Sequence, residues 1–390
     1  MTHLSHGEFT PLPLPDGLED DYVDCTSSCG LKYHVIRAGQ PTHPLILFCH
    51  GYPELAFSWR KIMPAIAAQG YYCIAMDQRG YGRTTGNAND ASYEDTDLSH
   101  YTMTNLVRDL VCLVYRLGYK KVHCIIGHDF GGVSSAMAAL MRPDIFQSTI
   151  QMSHPHHAAP LPPFGPDATP KQTLDIQAEL AKLNPPRKHY KYYNSTPTAA
   201  HDWNHPSQGL GTFLRGYFHL KSGDWEPNNP HPLKEWSAQA LEEMPEYYIM
   251  RREHSMPQTV QTNMSNLDPT KTESWLPASD LKIYVQEWSR TGFGAALSWY
   301  RAQTASTPES AKDMLLFAGR RIEVPCMFIS GSRDWGNYQQ PGAFEGYESA
   351  EVVGEGCFRG CVLVEGAGHW VQQEKAEEVV GAVKRFLEGL

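Results

Sequence analysis

Gly127-His128-Asp129-Phe130-Gly131-Gly132 places a carboxylate at the centre of a glycine-flanked turn, where serine would usually attack an ester or amide. Such a turn is sharp, so its flanks must be glycine or very small. It lifts the central side chain clear of a strand end, toward the positive end of the next helix. Aspartate there predicts attack on a saturated electrophilic carbon, with an enzyme-bound ester as intermediate. The blander alternative is an aspartate that only caps the helix. Two later residues complete a catalytic set: Asp334, after Gly331-Ser332-Arg333, and His369, within Gly366-Ala367-Gly368-His369-Trp370. A histidine oriented by one carboxylate can take a proton from water and direct that water at the ester.

Strand ends must position these side chains. Val122 to Ile126 reads as a buried strand running to Asp129, and Val133 to Met141 as a helix stopped by Arg142-Pro143. Val324 to Ile329 delivers Asp334, and Cys361 to Val364 leads to His369, just before an amphipathic helix from near Glu374. Leu45 to Cys49 ends in His50-Gly51-Tyr52-Pro53-Glu54. The backbone N–H groups of Tyr52 and Phe130 are the candidate oxyanion hole, and Tyr52-Pro53 is a candidate cis peptide. His50 reads as a brace for its loop. His50, Trp370 and His154 are also the candidates to line a substrate cavity. The loop Asp77 to Arg83 reads as structural support, its charges pairing with one another.

Composition bounds the rest. The chain of 390 residues, 41% hydrophobic and 19% charged, suits a core domain with one large insertion. A formal net charge of -10 argues against nucleic acid, whose phosphates would repel it. Nine cysteines, several in predicted core strands, fit buried thiols in a reducing compartment. The Cys25/Cys29 and Cys357/Cys361 spacings make no zinc pattern, so no metal is expected. The start of the chain lacks the features of a signal peptide, and no apolar run is long enough to span a bilayer. A cytoplasmic protein without a membrane partner is expected.

After Met152-Ser153 the chain turns rich in proline, aromatics and histidine, and Pro160 to Pro166 reads as a linker. The expected division is a core of residues 1–154 and 308–390 with a mostly helical cap of 155–307. Leu174 to Leu183, Pro232 to Met244 and Leu281 to Arg301 are the clearest cap helices. Its aromatic residues, among them Tyr190, Tyr192, Tyr193, Trp203, Tyr217 and Phe218, mostly pack the cap on the core. A minority are expected to line a pocket for a bulky apolar small molecule.

His50-Gly51-Tyr52-Pro53, Arg79-Gly80-Tyr81-Gly82, the Asp129 turn and Gly366-Ala367-Gly368-His369-Trp370 together resemble the soluble epoxide hydrolase branch of the α/β-hydrolases. So does the cap stretch Tyr284-Val285-Gln286-Glu287-Trp288, Thr291-Gly292-Phe293 and Leu297-Ser298-Trp299-Tyr300-Arg301. The resemblance implies an α/β-hydrolase fold, a mostly parallel doubly wound sheet with an inserted helical cap. It implies the triad Asp129, Asp334 and His369, with Tyr284 as the cap acid on the epoxide oxygen, water as co-substrate and no cofactor. The family's other cap tyrosine falls at Leu214 here, leaving Tyr217, one helical turn on, as the candidate second acid. Two other readings stay open. Dehalogenation would use the same nucleophile but favours a tryptophan where Phe130 stands. A repurposed pocket would bind a ligand or guide a rearrangement.

Overall fold

The computed structural model describes residues 9–86, 92–159, 161–162, 174–304 and 313–390. The expected linker at Pro160 to Pro166 and the return from cap to core near 307/308 fall largely or wholly outside them. The strands, in chain order, are β1 (Glu19–Cys25), β2 (Leu31–Ala38), β3 (Leu45–Cys49), β4 (Tyr72–Met76), β5 (Thr85–Gly86), β6 (Cys124–His128), β7 (Thr149–Met152), β8 (Arg187–His189), β9 (Ile249–Arg251), β10 (Cys326–Gly331) and β11 (Phe358–Val364). The main sheet runs β1-β2-β4-β3-β6-β7-β10-β11, with β5 paired to β2. From β4 to β11 every neighbour is parallel, whereas β1, β2 and β4 pair antiparallel.

Why the centre is parallel follows from the side chains. β3, β4 and β6 are buried along their whole length, as strands covered on both faces must be. Alternate residues of β3 divide between two cores, Ile46 and Phe48 facing one, Leu45, Leu47 and Cys49 the other. The first core continues into the segment after β7 through Trp203, Phe213, Leu214, Trp288 and Trp299. The core strands' cysteines are free thiols, as are the other cysteines.

That segment is mostly helical, as expected, but its helices differ in extent. Leu281 to Arg301 is two helices, Ala278–Thr291 and Gly294–Thr304. They break at Gly292, whose φ of 65° suits glycine. Pro232 to Met244 is helical only over Ala238–Leu241, and Leu174 to Leu183 only over Ile176–Leu180. The short antiparallel pair β8–β9 is too brief for hydropathy to reveal. The strand before Asp129 begins and ends two residues later than Val122 to Ile126, because His128 is buried with a charged partner. Among the described residues no helix is long and apolar enough to cross a membrane.

Candidate active site

The carboxyl ends of β3, β6, β10 and β11 converge, and each contributes to one cluster. This edge is where open parallel sheets carry their sites. β6 runs into Asp129, which has φ 52° and ψ -115°. A non-glycine residue there bears strain on the order of 1–3 kcal/mol. Contacts explain the neighbouring glycines. A side chain at Gly127 would strike the Gly131 carbonyl, and one at Gly131 the Cys49 carbonyl. The Asp129 side chain makes no capping bond to its helix, Phe130–Met141, so the capping alternative fails. Instead Oδ1 accepts the Tyr52 N–H at 3.0 Å. Phe130 N–H opens the helix, among the first-turn donors that lack a helical partner. The Tyr52-Pro53 bond is cis.

His369 Nε2 lies 3.5 Å from Asp129 Oδ2, and Nδ1 lies 3.1 Å from each carboxylate oxygen of Asp334. Asp334 also accepts the Gly336 N–H at 2.6 Å and the Ser330 hydroxyl at 3.1 Å. An acceptor-only carboxylate at Nδ1 fixes a proton there and makes Nε2 the nitrogen that exchanges a proton beside Asp129. Nε2 is buried without a hydrogen bond, as a poised base would be. Burial opposes the Asp129 charge, but His369, Lys221 and His128 outweigh it, holding the carboxyl far below the usual range. Asp334 is likewise lowered, burial being outweighed by His369, the Gly336 N–H and Lys221.

A buried ion pair that the motifs did not flag lies beside the triad. His128 Nδ1 meets Glu54 Oε2 at 2.5 Å, and His128 Nε2 meets the His369 carbonyl at 2.6 Å. Both partners only accept, so both ring nitrogens donate and His128 is an imidazolium. Burial disfavours that charge, yet Glu54 raises the His128 pKa above its ordinary value. Glu54 further accepts from Gly51 N–H, Gln372 and Gln373. Sequence offered one hint, the acid and the histidine each sitting beside a motif glycine turn.

The structure does not bring Tyr284 to Asp129. Tyr284 lies on the face of helix Ala278–Thr291 that docks on the core through Asp280–Arg60, Glu287–Arg83 and Trp288 Nε1 to the Pro53 carbonyl. Positions 280, 284, 287 and 288 share one helix face. The Tyr284 hydroxyl is accordingly engaged by Ser58 at 2.7 Å and Gln373 at 3.4 Å. Other tyrosines stand in the field of Asp129: Tyr190, Tyr217 and Tyr300, all buried. Tyr300 packs on Phe130 at 4.6 Å and on Tyr52 at 5.4 Å. Tyr190 meets Tyr300 at 5.8 Å and donates to Gln339 at 2.9 Å. Burial raises all three phenols, keeping them protonated. Leu214 is a buried core residue.

Two expected cavity residues are structural instead. His50 Nδ1 donates to the Gly51 carbonyl at 2.8 Å and Nε2 accepts the Gln78 N–H at 3.1 Å, so the ring braces its loop. Trp370 is fully buried, donates to the Phe218 carbonyl at 2.9 Å and packs on His369 at 4.7 Å. His154 is partly exposed and lies in the field of Asp129, with burial pulling its pKa down to about 3. Arg79 and Asp109 form a buried pair at 2.6 Å, so the loop after β4 ties to a helix rather than only to itself. Among the described residues no group of three or more His, Cys, Asp or Glu is arranged for a metal ion.

Comparison with known proteins agrees with this architecture. The model of the α/β hydrolase fold family matches residues 44–376. Epoxide hydrolase A of Mycobacterium tuberculosis is 30% identical over 363 residues, covering 93% of this chain and 95% of the relative. An epoxide hydrolase from an endophytic Streptomyces superposes with a TM-score of 0.72 at 26% identity, over 96% of both chains. Epoxide hydrolase A from Mycobacterium thermoresistibile gives 0.72 at 27% identity, over 96% of this chain and 99% of that one. Family model, relatives and site geometry converge: the chain is an enzyme of the α/β-hydrolase superfamily and belongs to its epoxide hydrolase-like family.

Proposed function

We propose that the enzyme opens an epoxide to a vicinal diol through an ester on Asp129. The observation that carries this reading is His369, whose Nε2 is 3.5 Å from Asp129 Oδ2 while Nδ1 is bound by Asp334. Asp129 attacks a ring carbon, the C–O bond breaks, and the departing oxygen takes a proton from Tyr300, assisted by Tyr190. Those two replace Tyr284 in the role. Tyr217 is a third hydroxyl near the same carboxylate, but its ring contacts are with Trp203, Phe213 and Trp370 rather than Tyr300. His369 then removes a proton from water, which adds to the ester carbonyl. The Tyr52 and Phe130 N–H groups stabilise the oxyanion. As it collapses, the second diol oxygen leaves with the proton of the added hydroxyl, Asp129 returns to carboxylate, and the proton held by His369 is returned to the Tyr300 phenolate. Residues 155–307 act as the lid that closes over the substrate, and a cytoplasmic location fits the buried free thiols.

An oxygen leaving group is favoured over halide because the indoles packed on Tyr52, Phe130 and His369 are already committed. Trp288, Trp299 and Trp370 donate to the backbone carbonyls of Pro53, Arg79 and Phe218. The test is intact-protein mass spectrometry of His369→Gln after exposure to a panel of epoxides. The expected adduct equals the whole epoxide mass and maps to Asp129. A folded variant that gives no adduct with any epoxide, but one with haloalkanes, would overturn the reading.

A further inference from the structure

The site holds a cation that the hydrolytic mechanism does not use. Lys221 ends the helix Leu210–Lys221, and its carbonyl accepts the His369 N–H at 2.8 Å. The residue is 3% exposed. Its ammonium sits over the rings of Tyr248 at 4.9 Å, Tyr217 at 5.4 Å and Trp370 at 5.4 Å. Aromatic faces attract a cation but do not neutralise it. Among the described residues this ammonium has no carboxylate within ion-pair distance and no hydrogen-bond acceptor, and the same holds for Lys191. Lys191, on the helix Tyr190–Asn194, shares the field: Asp129 acts on both lysines, and Lys191 acts on Lys221. Burial pulls the pKa of each ammonium down, and the Asp129 charge offsets this only in part.

The neighbouring carboxylates have other partners. Asp129 is held by the Tyr52 N–H and His369, Asp334 by His369, Gly336 and Ser330, and Glu54 by His128, Gly51, Gln372 and Gln373. Ring opening passes the negative charge from Asp129 to the phenolate left on Tyr300, so at no step does either ammonium gain a bonded counter-ion. An anionic group on the substrate supplies that missing partner to a buried cation whose desolvation is otherwise uncompensated.

Resting on the epoxide hydrolase reading, we infer that the preferred substrate is an epoxy acid, with a carboxylate close to the ring that is received by Lys221 and Lys191. The aromatic cage fixes the ammonium of Lys221 while leaving its hydrogen-bond donors unspent. The apolar walls around it take the rest of the molecule.

The experiment compares trans-3-phenylglycidate with trans-β-methylstyrene oxide, in which a methyl group replaces the carboxylate. Wild-type enzyme is expected to favour the acid by at least ~30-fold in kcat/KM, the scale of one charge-assisted contact in a closed site. Lys221→Met should erase that preference, losing far more on the acid than on the neutral epoxide, and Lys221→Arg should keep most of it. Equal kcat/KM on the two epoxides in wild type would overturn the inference. So would equal losses on both in Lys221→Met, which would make Lys221 a general electrostatic support. Should Lys221→Met melt at assay temperature, the wild-type preference and the Lys221→Arg variant decide. Turnover of neither epoxide, with no ester trapped in His369→Gln, would overturn the hydrolase reading and this inference with it.

Discussion

The rings of Tyr190 and Tyr300 meet edge-on, 5.8 Å between centroids and 79° between planes. They reach this contact from separate helices, Tyr190–Asn194 and Gly294–Thr304, and both lie in the field of Asp129. Two phenols that share one leaving oxygen must be neighbours, and these are. Tyr300→Phe and Tyr190→Phe are each expected to slow formation of the ester by ~10²–10⁴-fold, the range for a positioned acid. The double variant should fall short of the product of the two. Tyr284→Phe should change the ester-forming rate far less and instead lower stability by about 1 kcal/mol, the worth of its bond to Ser58. Single-turnover kinetics with unfolding curves separate these outcomes; a large rate defect in Tyr284→Phe alone would reverse the assignment.

The core was legible because each of its features is local in sequence. Glycines around Asp129 report a close backbone approach, and the continuous apolar runs of β3, β4 and β6 report strands covered on both faces. The helical character of the segment after β7 was legible in the pattern, its internal geometry less so. Tyr284 and Tyr300 belong to one aromatic stretch, and only the break at Gly292, which sends the second helix in a new direction, decides which tyrosine turns inward. Tyr190 lay in an aromatic-rich run where pattern does not separate packing residues from reactive ones. Glu54 and His128 pair across 74 positions, a contact that only the assembled sheet creates. Lys221 reads as an ordinary helix-ending lysine until two rings from distant segments, Tyr248 and Trp370, join Tyr217 of its own helix around it.

Asp334 acts on the second half of the reaction more than the first. Its carboxylate fixes the His369 proton on Nδ1, leaving Nε2 free to accept one. Asp334→Asn keeps the shape but presents an amide that can hold the opposite tautomer. Ester formation should continue while hydrolysis slows by ~10³-fold or more. The expected time course is one equivalent of epoxide consumed per site followed by a stall, with the adduct visible by mass. Equal slowing of both steps would mean that Asp334 instead supports the nucleophile.

Gly51 sits against the nucleophile. A Cβ there would press on the Asp129 Cβ, lie 2.7 Å from Oδ1 and lie 2.9 Å from the His128 carbonyl. Gly51→Ala must therefore displace the attacking carboxylate or the turn that holds Tyr52 N–H. A misplacement near 1 Å costs about 10²-fold in rate, so kcat should fall by at least that factor while the fold persists. Preserved circular dichroism with near-normal activity would show that the turn can relax without moving Asp129.

A further buried pair, away from the chemistry, governs stability against pH. His34 Nδ1 lies 2.8 Å from Asp77 Oδ2, and Asp77 also accepts the Ala56 and Arg83 N–H groups at 2.8 and 2.9 Å. Burial opposes both charges. Asp77 and Asp20 nevertheless raise His34 to about 9, against Arg83, and His34 with its neighbours lowers Asp77 to about 2. A raised histidine stabilises the fold fully below its ordinary value of 6.5 and loses that contribution as pH rises through about 9. A depressed carboxylate stabilises above its ordinary 3.8 and loses that contribution as pH falls through about 2. The pair therefore helps most between 3.8 and 6.5. Urea unfolding at a series of pH values should find the gap between wild type and His34→Gln greatest in that window and shrinking toward pH 9. Asp77→Ala, which strands a buried imidazolium and two backbone donors, should cost about 3–5 kcal/mol. A gap that is flat from pH 5 to about 9 would mean that His34 is held neutral and the pair is a plain hydrogen bond.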